Sequence, residues 1–186
     1  MKRLAWAMVL VLFLGGCDDT PKEVQRGMDL RAAILQAEQC RFLADITADY
    51  GDKIQQFSLD CQTDRQGNLT FSVVKPESIS GVSGQISDEG GKLTFADTAL
   101  YFELLTDEQI NPVSAPWIFM KALRGGYLRS ACVEEKLLHL TINDSYEEDA
   151  LTLDIWLEDG EKPVRGEILQ DGRRILTLDV KEFAIS

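Results

Sequence analysis

The sequence predicts a mostly β, α+β domain: one antiparallel sheet with an amino-terminal helix and a central helix. Three observations predict it. From residue 42 onward, apolar and polar residues alternate with a period of two, as half-buried strands do. The alternating runs are separated by short turns rich in Gly, Asn and Asp, and short turns join antiparallel neighbours. Two segments break the alternation with helical spacing, residues 20–39 and 114–123.

Thr20-Pro21 reads as an N-cap followed by Pro at the first helical position, opening a helix to about Gln39. Val24, Met28, Arg31 and Leu35 lie along one face, with Leu30, Ile34 and Ala37 beside it; Gly27 weakens the helix or delays its start. Phe42, Ala44, Ile46 and Ala48 then alternate, Tyr50-Gly51-Asp52-Lys53 turns, and Phe57, Leu59 and Cys61 return as a β-hairpin. A turn over Asp64-Arg65-Gln66-Gly67-Asn68 leads into Leu69, Phe71 and Val73, a strand that Pro76 ends. Ser78 to Ile86 reads as a Ser/Gly-rich strand in which Gly81 and Gly84 mark a bulge or a close backbone approach. Glu89-Gly90-Gly91 turns into Leu93 and Phe95, and Leu100, Phe102 and Leu104 make another strand. The central helix has Ser114 as N-cap, Pro116 in its first turn and Gly125-Gly126 as its stop. Its residues Trp117 to Leu123 are apolar almost all round, which predicts burial on more than one side. The final third returns to strands through Leu138, Leu140 and Ile142, then Leu151, Leu153, Ile155 and Leu157 with Trp156 opposite. Glu158-Asp159-Gly160 turns the chain through Pro163 to Val164, Gly166 and Ile168. Asp171-Gly172 signals a hairpin, and Leu176, Leu178 and Val180 form the apolar face of the last strand. Eight to eleven strands are expected in all.

The length of 186 residues suits one domain, and 45% hydrophobic with 27% charged residues is ordinary globular composition. Asp and Glu number 31 against 19 Lys and Arg, a net charge of −12. Nucleic-acid binding draws most of its affinity from basic residues on phosphates, so this surface argues against it. One His is too little imidazole for a His-based metal site, and no cofactor is expected.

The amino terminus carries the most specific signal. Lys2 and Arg3 precede an unbroken apolar run of eleven residues, Leu4 to Leu14. As a helix that run spans roughly 16 Å, about half of the ~30 Å hydrocarbon core, and so reads as a signal-peptide apolar region. Leu14-Gly15-Gly16-Cys17 resembles the lipobox of bacterial lipoproteins, in which the Cys receives a diacylglycerol and acyl chains such as palmitate and becomes the first mature residue. The expected organisation is therefore 1–16 signal peptide, 17–21 lipidated Cys17 and short linker, and 22–186 folded domain. Two or more acyl chains hold a protein stably on a bilayer. The domain is expected outside the cytoplasm, on the outer face of the cytoplasmic membrane, or carried onward to an outer membrane. In enteric-type bacteria Asp18-Asp19 after the lipidated Cys resembles a signal for staying at the inner membrane. Loss of Lys2 and Arg3 leaves 17 basic against 31 acidic residues, a mature charge of −14. An anionic lipid surface repels such a domain within the ~8 Å Debye length, which favours an upright tethered globule.

The order of elements resembles the lipoprotein-localisation carriers of the LolA and LolB type. The matching stretches are Cys40-Arg41-Phe42-Leu43-Ala44-Asp45, Gly67 to Pro76, Gly91-Lys92-Leu93-Thr94-Phe95 and the helix from Ser114 to Leu123, and the order covers nearly all of residues 22–186. The resemblance implies a curved antiparallel sheet forming an incomplete barrel, closed by the two helices, with an apolar cavity that receives acyl chains. Trp117, Phe119 and Met120, with Phe42, Phe71, Phe95 and Phe102, are the candidate cavity lining; filling a closed core demands the same residues. A tethered, very acidic chain cannot shuttle, so the resemblance bears on fold and ligand rather than on transport. Lipid-anchored germination lipoproteins of spore-forming clostridia are similar too, and there the same fold implies a partner-binding scaffold.

Other candidates are weaker. If the first hairpin turns at Gly51-Asp52, residue 42 faces residue 61; one residue earlier, residue 40 faces it. Either register puts Cys40 and Cys61 on one face, as a disulfide or as two buried thiols. Cys132 is then an odd thiol, and no Cys-x-x-Cys occurs. His139 sits in the polar, solvent-facing phase of its strand, and no motif marks a nucleophile and acid beside it. The acidic run Asn143 to Asp149 lacks the Gly and the oxygen spacing of a calcium loop, and reads as a solvated turn or a dock for a basic protein partner. The expected function is non-catalytic binding of an acyl chain or lipid by a membrane-anchored lipoprotein. The alternative is a lipid-anchored scaffold that docks a cell-envelope or spore-germination enzyme through its acidic surface.

Overall fold

The computed structural model describes residues 21–96, 98–103, 105–106 and 109–186. Thr20, the signal segment, Cys17 and Leu104 lie outside the described residues. The first helix, α1, runs Lys22–Gln36 and the second, α2, Ala115–Gly125. The strands are β1 (Gln39–Asp49), β2 (Ile54–Asp64), β3 (Leu69–Lys75), β4 (Ser83–Ser87), β5 (Gly90–Phe95), β6 (Thr98–Phe102), β7 (Leu105–Thr106) and β8 (Gln109–Ile110). Beyond α2 come β9 (Tyr127–Glu134), β10 (Leu137–Asn143), β11 (Thr152–Glu158), β12 (Lys162–Gln170) and β13 (Arg173–Ile185).

Eleven of these strands form one antiparallel sheet in the order β6-β5-β4-β3-β2-β1-β13-β12-β11-β10-β9, and β7 pairs only with β8. The last strand returns to pair with the first, which puts β1 and β13 at the centre. The sheet does not close on itself; β6 and β9 are its two edges, and the fold is an incomplete barrel. Among the described residues no helix is long and apolar enough to cross a membrane.

Alternation in the sequence becomes two distinct faces. Phe42, Ala44, Ile46 and Ala48 of β1 are buried, as are Leu153, Ile155 and Leu157 of β11 and Leu176, Leu178 and Val180 of β13. This inner face carries the core, with the helices against it. The outer face is polar. On it Lys181 Nζ donates to Asp45 Oδ2 at 2.6 Å, and the Ser58 hydroxyl donates to Asp45 Oδ1. The Lys181 hydrogen bond, then that from Ser58, holds the Asp45 carboxyl below its usual range.

Four sequence expectations change. Pro21 is the cap of α1 rather than its first residue, and the helix stops at Gln36, short of Gln39. Its buried face is Gly27, Leu30 and Ile34, whereas Met28 and Leu35 are exposed. Gly27 explains the rotation, because a Cβ there would lie 3.1 Å from Leu140 Cδ2, so its absence lets the helix close on β10. The stretch from Ser78 begins as a 3₁₀ turn, Glu77–Ile79, and the strand starts only at Ser83. There the Ile79 and Ser80 N–H groups bond back to Pro76 and Glu77, and the Ser80 hydroxyl adds a third local bond to Glu77. Ser114 is the N-cap residue of α2 as expected, but its side chain makes no capping hydrogen bond; the 3₁₀ turn before it is capped by Asn111, whose side chain accepts from the Val113 N–H. Strand β9 was not marked by alternation, since as an edge strand it leaves both its faces largely exposed.

Candidate apolar ligand site

The central helix meets the sheet through an aromatic ring seated on a glycine. A Cβ on Gly166 of β12 would lie 2.7 Å from two carbons of the Phe119 ring, so the glycine is the recess that receives that ring. Phe119 in turn packs against Phe42 of β1 with ring centroids 6.5 Å apart, and Phe42 against Phe183 at 6.0 Å. Phe71 of β3 covers Gly84 of β4 in the same way, where a Cβ would be 2.4 Å from its ring. Met120 and Trp117 are also buried. Five of the seven candidate lining residues are thus packed within the core: Phe42, Phe71, Trp117, Phe119 and Met120.

The other two lie elsewhere on the same face. Register carries the inner face outward from Phe71 to Gly84, from Gly84 to Leu93, and from Leu93 to Leu100. Phe102 pairs with Gly91 and covers it, a Cβ there falling 2.0 Å from the ring. Yet Phe95 is 58% exposed and Leu100 62%, and Leu93 and Phe102 are only partly buried. Among the described residues the inner face is therefore covered from β13 to β4 and only partly covered over β5 and β6. Leu93 and Leu100 belong to this strip and were not among the candidates, although the alternation that marks Phe95 and Phe102 also marks them. An open, mostly polar cleft of about 770 Å³ meets the strip at Gly91 and Phe102; Asp64, Gln85, Glu89 and Lys92 also line it.

Two contacts fix α2 beside this strip. Lys121 Nζ lies 4.6 Å from the Trp117 ring centroid and bridges to Asp88 Oδ1, in the β4–β5 turn, at 2.5 Å. Arg124 donates to the Arg65 carbonyl in the β2–β3 turn at 2.7 Å.

Of the two readings of Cys40 and Cys61, the structure has the pair of buried thiols and not the disulfide. The hairpin pairs Phe42 with Cys61 and Cys40 with Thr63, so the two cysteines sit diagonally, and both are free and buried. Diagonal neighbours in a ladder are roughly 7–8 Å apart, beyond disulfide reach without backbone movement. Burial pushes both thiols up from their usual range. His139 keeps the outward phase but is not solvent-facing: its side chain is 18% exposed, stacked on Trp156 with centroids 4.5 Å apart. The acidic run closes the β10–β11 turn, where Asp144 Oδ1 accepts the Leu151 N–H at 2.8 Å and residues 146–149 are exposed. Among the described residues no group of three His, Cys, Asp or Glu side chains is placed to hold a metal ion.

No family model and no curated protein matches this chain. Solved structures similar to it include an uncharacterised conserved protein from Thermus thermophilus, 12% identical over 89% of this chain and 88% of that one, with a TM-score of 0.48. A LolA superfamily protein from Nitrosomonas europaea is 7% identical over 86% and 93%, with a TM-score of 0.44. The lipoprotein LppX from Mycobacterium tuberculosis is 12% identical over 87% and 92%, with a TM-score of 0.41. At these identities the likeness is one of fold.

Proposed function

We propose that this chain is an extracytoplasmic lipoprotein, anchored through Cys17, that binds an acyl chain or lipid on the open end of its incomplete barrel. The strip of Leu93, Phe95, Leu100 and Phe102, in which Phe95 and Leu100 are exposed and Leu93 and Phe102 half-buried, carries the reading. These side chains continue the core face of the sheet beyond the reach of α2, where a closed core would bury them. Covering such a strip removes apolar surface from water at about 25 cal/mol per Å², and a flexible acyl chain conforms to a curved face. The glycine-seated rings supply the rigid floor next to it.

Expression of residues 18–186 followed by mass spectrometry of extracted lipid tests this. We expect co-purifying acyl lipid in the parent protein. In Phe95→Asp and Leu100→Asp we expect it to fall at least about tenfold, since a buried carboxylate is costly against an apolar ligand. Both positions are exposed, so the melting temperature should hardly move. No lipid in the parent, and no uptake of a fluorescent fatty acid, would overturn the reading.

The acidic β10–β11 turn supports a second reading, docking of a basic protein partner. Tyr146 stands 83% exposed there beside Glu147, Glu148 and Asp149, with its ring against Tyr127.

A further inference from the structure

Across the outer face, three side chains that apolar binding does not use line up on β9, β10 and β11. Cys132 and His139 are directly opposed in the β9–β10 ladder, with Cys132 Sγ 3.9 Å from His139 Nδ1. On the far side of the ring, His139 Nε2 lies 2.9 Å from Asp154 Oδ1. An ionised carboxylate only accepts, so Nε2 carries a hydrogen. In the neutral ring that leaves the Nδ1 lone pair facing the thiol. The Thr141 hydroxyl donates to the same Asp154 oxygen at 2.8 Å, which fixes the carboxylate. Trp156 stacks on the imidazole with 6° between planes, and its indole N–H donates to Glu134 Oε2 at 3.0 Å. That Glu134 oxygen is also 3.3 Å from His139 Nδ1, and the Arg165 guanidinium stands 5.5 Å from the Trp156 ring centroid. The imidazole is thus held on three sides, while Cys132 is exposed on edge strand β9. Cys40 and Cys61 are buried and have no such partner set.

We propose that Cys132 is a thiol–disulfide exchange site for low-molecular-weight disulfides, with His139 as proton acceptor and Asp154 as positioning residue. His139 Nδ1 takes the thiol proton, and Glu134 faces the imidazolium that forms. Cys132 Sγ then attacks one sulfur of the disulfide; a new S–S bond forms to Cys132 and the old one breaks. The departing thiolate recovers the proton from the imidazolium and leaves as a thiol. One disulfide is consumed and one is made, so Cys132 is oxidised and the leaving half is reduced, with no further co-reactant. The edge position matters, because among the described residues no strand pairs with the outer edge of β9, which leaves the attacking sulfur open to a disulfide from that side. This inference does not depend on the apolar-ligand reading, since it uses the opposite face of the sheet.

The test uses the full chain, reduced, desalted and exposed to oxidised glutathione between pH 6 and 9. Peptide mass mapping assigns the modified cysteine, which separates residue 132 from residues 17, 40 and 61. Cys132 should be modified about tenfold faster at pH 7 than the thiol of a short unstructured peptide, because His139 Nδ1 stands beside Sγ to take its proton. His139→Gln should lose that advantage and shift the pH–rate profile to that of the free peptide. Asp154→Asn should shift it in the same direction by a smaller amount, since it disturbs the imidazole without removing it. Modification at Cys40 or Cys61 in a variant would mark unfolding, and the profile of the other variant then decides. A Cys132 rate equal to the peptide's, or an unchanged profile in both folded variants, would overturn the proposal.

Discussion

Gly166 shows how one missing side chain can place a helix. Its recess holds the Phe119 ring, and Phe119 is fully buried against Phe42, so the ring has nowhere to retreat. Gly166→Ala should therefore cost about 1–3 kcal/mol as overpacking, read as a lower urea midpoint with unchanged slope. An alanine variant as stable as the parent would mean that α2 is free to shift on the sheet. Only half of this was legible in the chain. The alternation around Gly166 marked it as an inward position, and Trp117 to Leu123 marked α2 as buried. Which ring meets which glycine depends on residues 47 positions apart, and no local pattern records it. His139 makes the same point on the outer face. Its phase was readable, but Cys132, Asp154 and Trp156 reach it only through the registers of β9 and β11.

The two helices are joined at element scale by one side chain. Arg31 of α1 donates from Nε to the Leu123 carbonyl at 2.9 Å and from Nη2 to the Gly126 carbonyl at 2.7 Å, with the Ala122 carbonyl at 3.3 Å. The last carbonyls of a helix lack partners within it and carry its negative end, so a cation there stabilises both the bonds and the dipole. Arg31→Met keeps the apolar stem and removes the donors. It should destabilise the fold by about 2 kcal/mol, the scale of a charged hydrogen bond to a part-buried group, in a thermal or urea melt. A loss below about 0.5 kcal/mol would show that water caps α2 equally well. In the sequence Arg31 falls on one face with Val24, Met28 and Leu35. It belongs there because α1 is rolled toward Gly27, which leaves Arg31 at the α1–α2 seam rather than under the sheet.

At the scale of the whole molecule, the uneven cover of one sheet face is the feature that matters. Eleven strands present a single inner face, and one eleven-residue helix, α2, packs against β10, β12 and β13 and is tied to the turns at Arg65 and Asp88. That helix is too short to cover the face as far as β5 and β6. The anchored reading adds a prediction at this scale. Cys17→Ser should move the protein from the membrane fraction to the soluble fraction, since loss of several acyl chains removes about 0.8 kcal/mol per buried CH₂. Retention of Cys17→Ser in washed membranes would show that something other than the lipid holds it there. Once released, the strongly acidic chain should stay off anionic vesicles at low salt, where repulsion reaches furthest.

By itself the sequence determined the two helices and most of the strands, the antiparallel character of the sheet, the burial of α2 and the amino-terminal lipobox pattern. These depend on neighbours within a turn or two, or on the alternation of one strand, and so are written locally. The tertiary structure alone decided that the last strand closes on the first, that β6 and β9 remain open edges, and that Cys40 and Cys61 sit diagonally. It also decided that Phe95 and Leu100 are bare while Phe42 and Phe119 are enclosed. Phe42, Phe95 and Leu100 carry the same inward phase on strands, and periodicity cannot tell a covered stretch of face from an uncovered one. That distinction comes from where a single helix ends over the sheet, a matter of length and docking that belongs to the assembled fold.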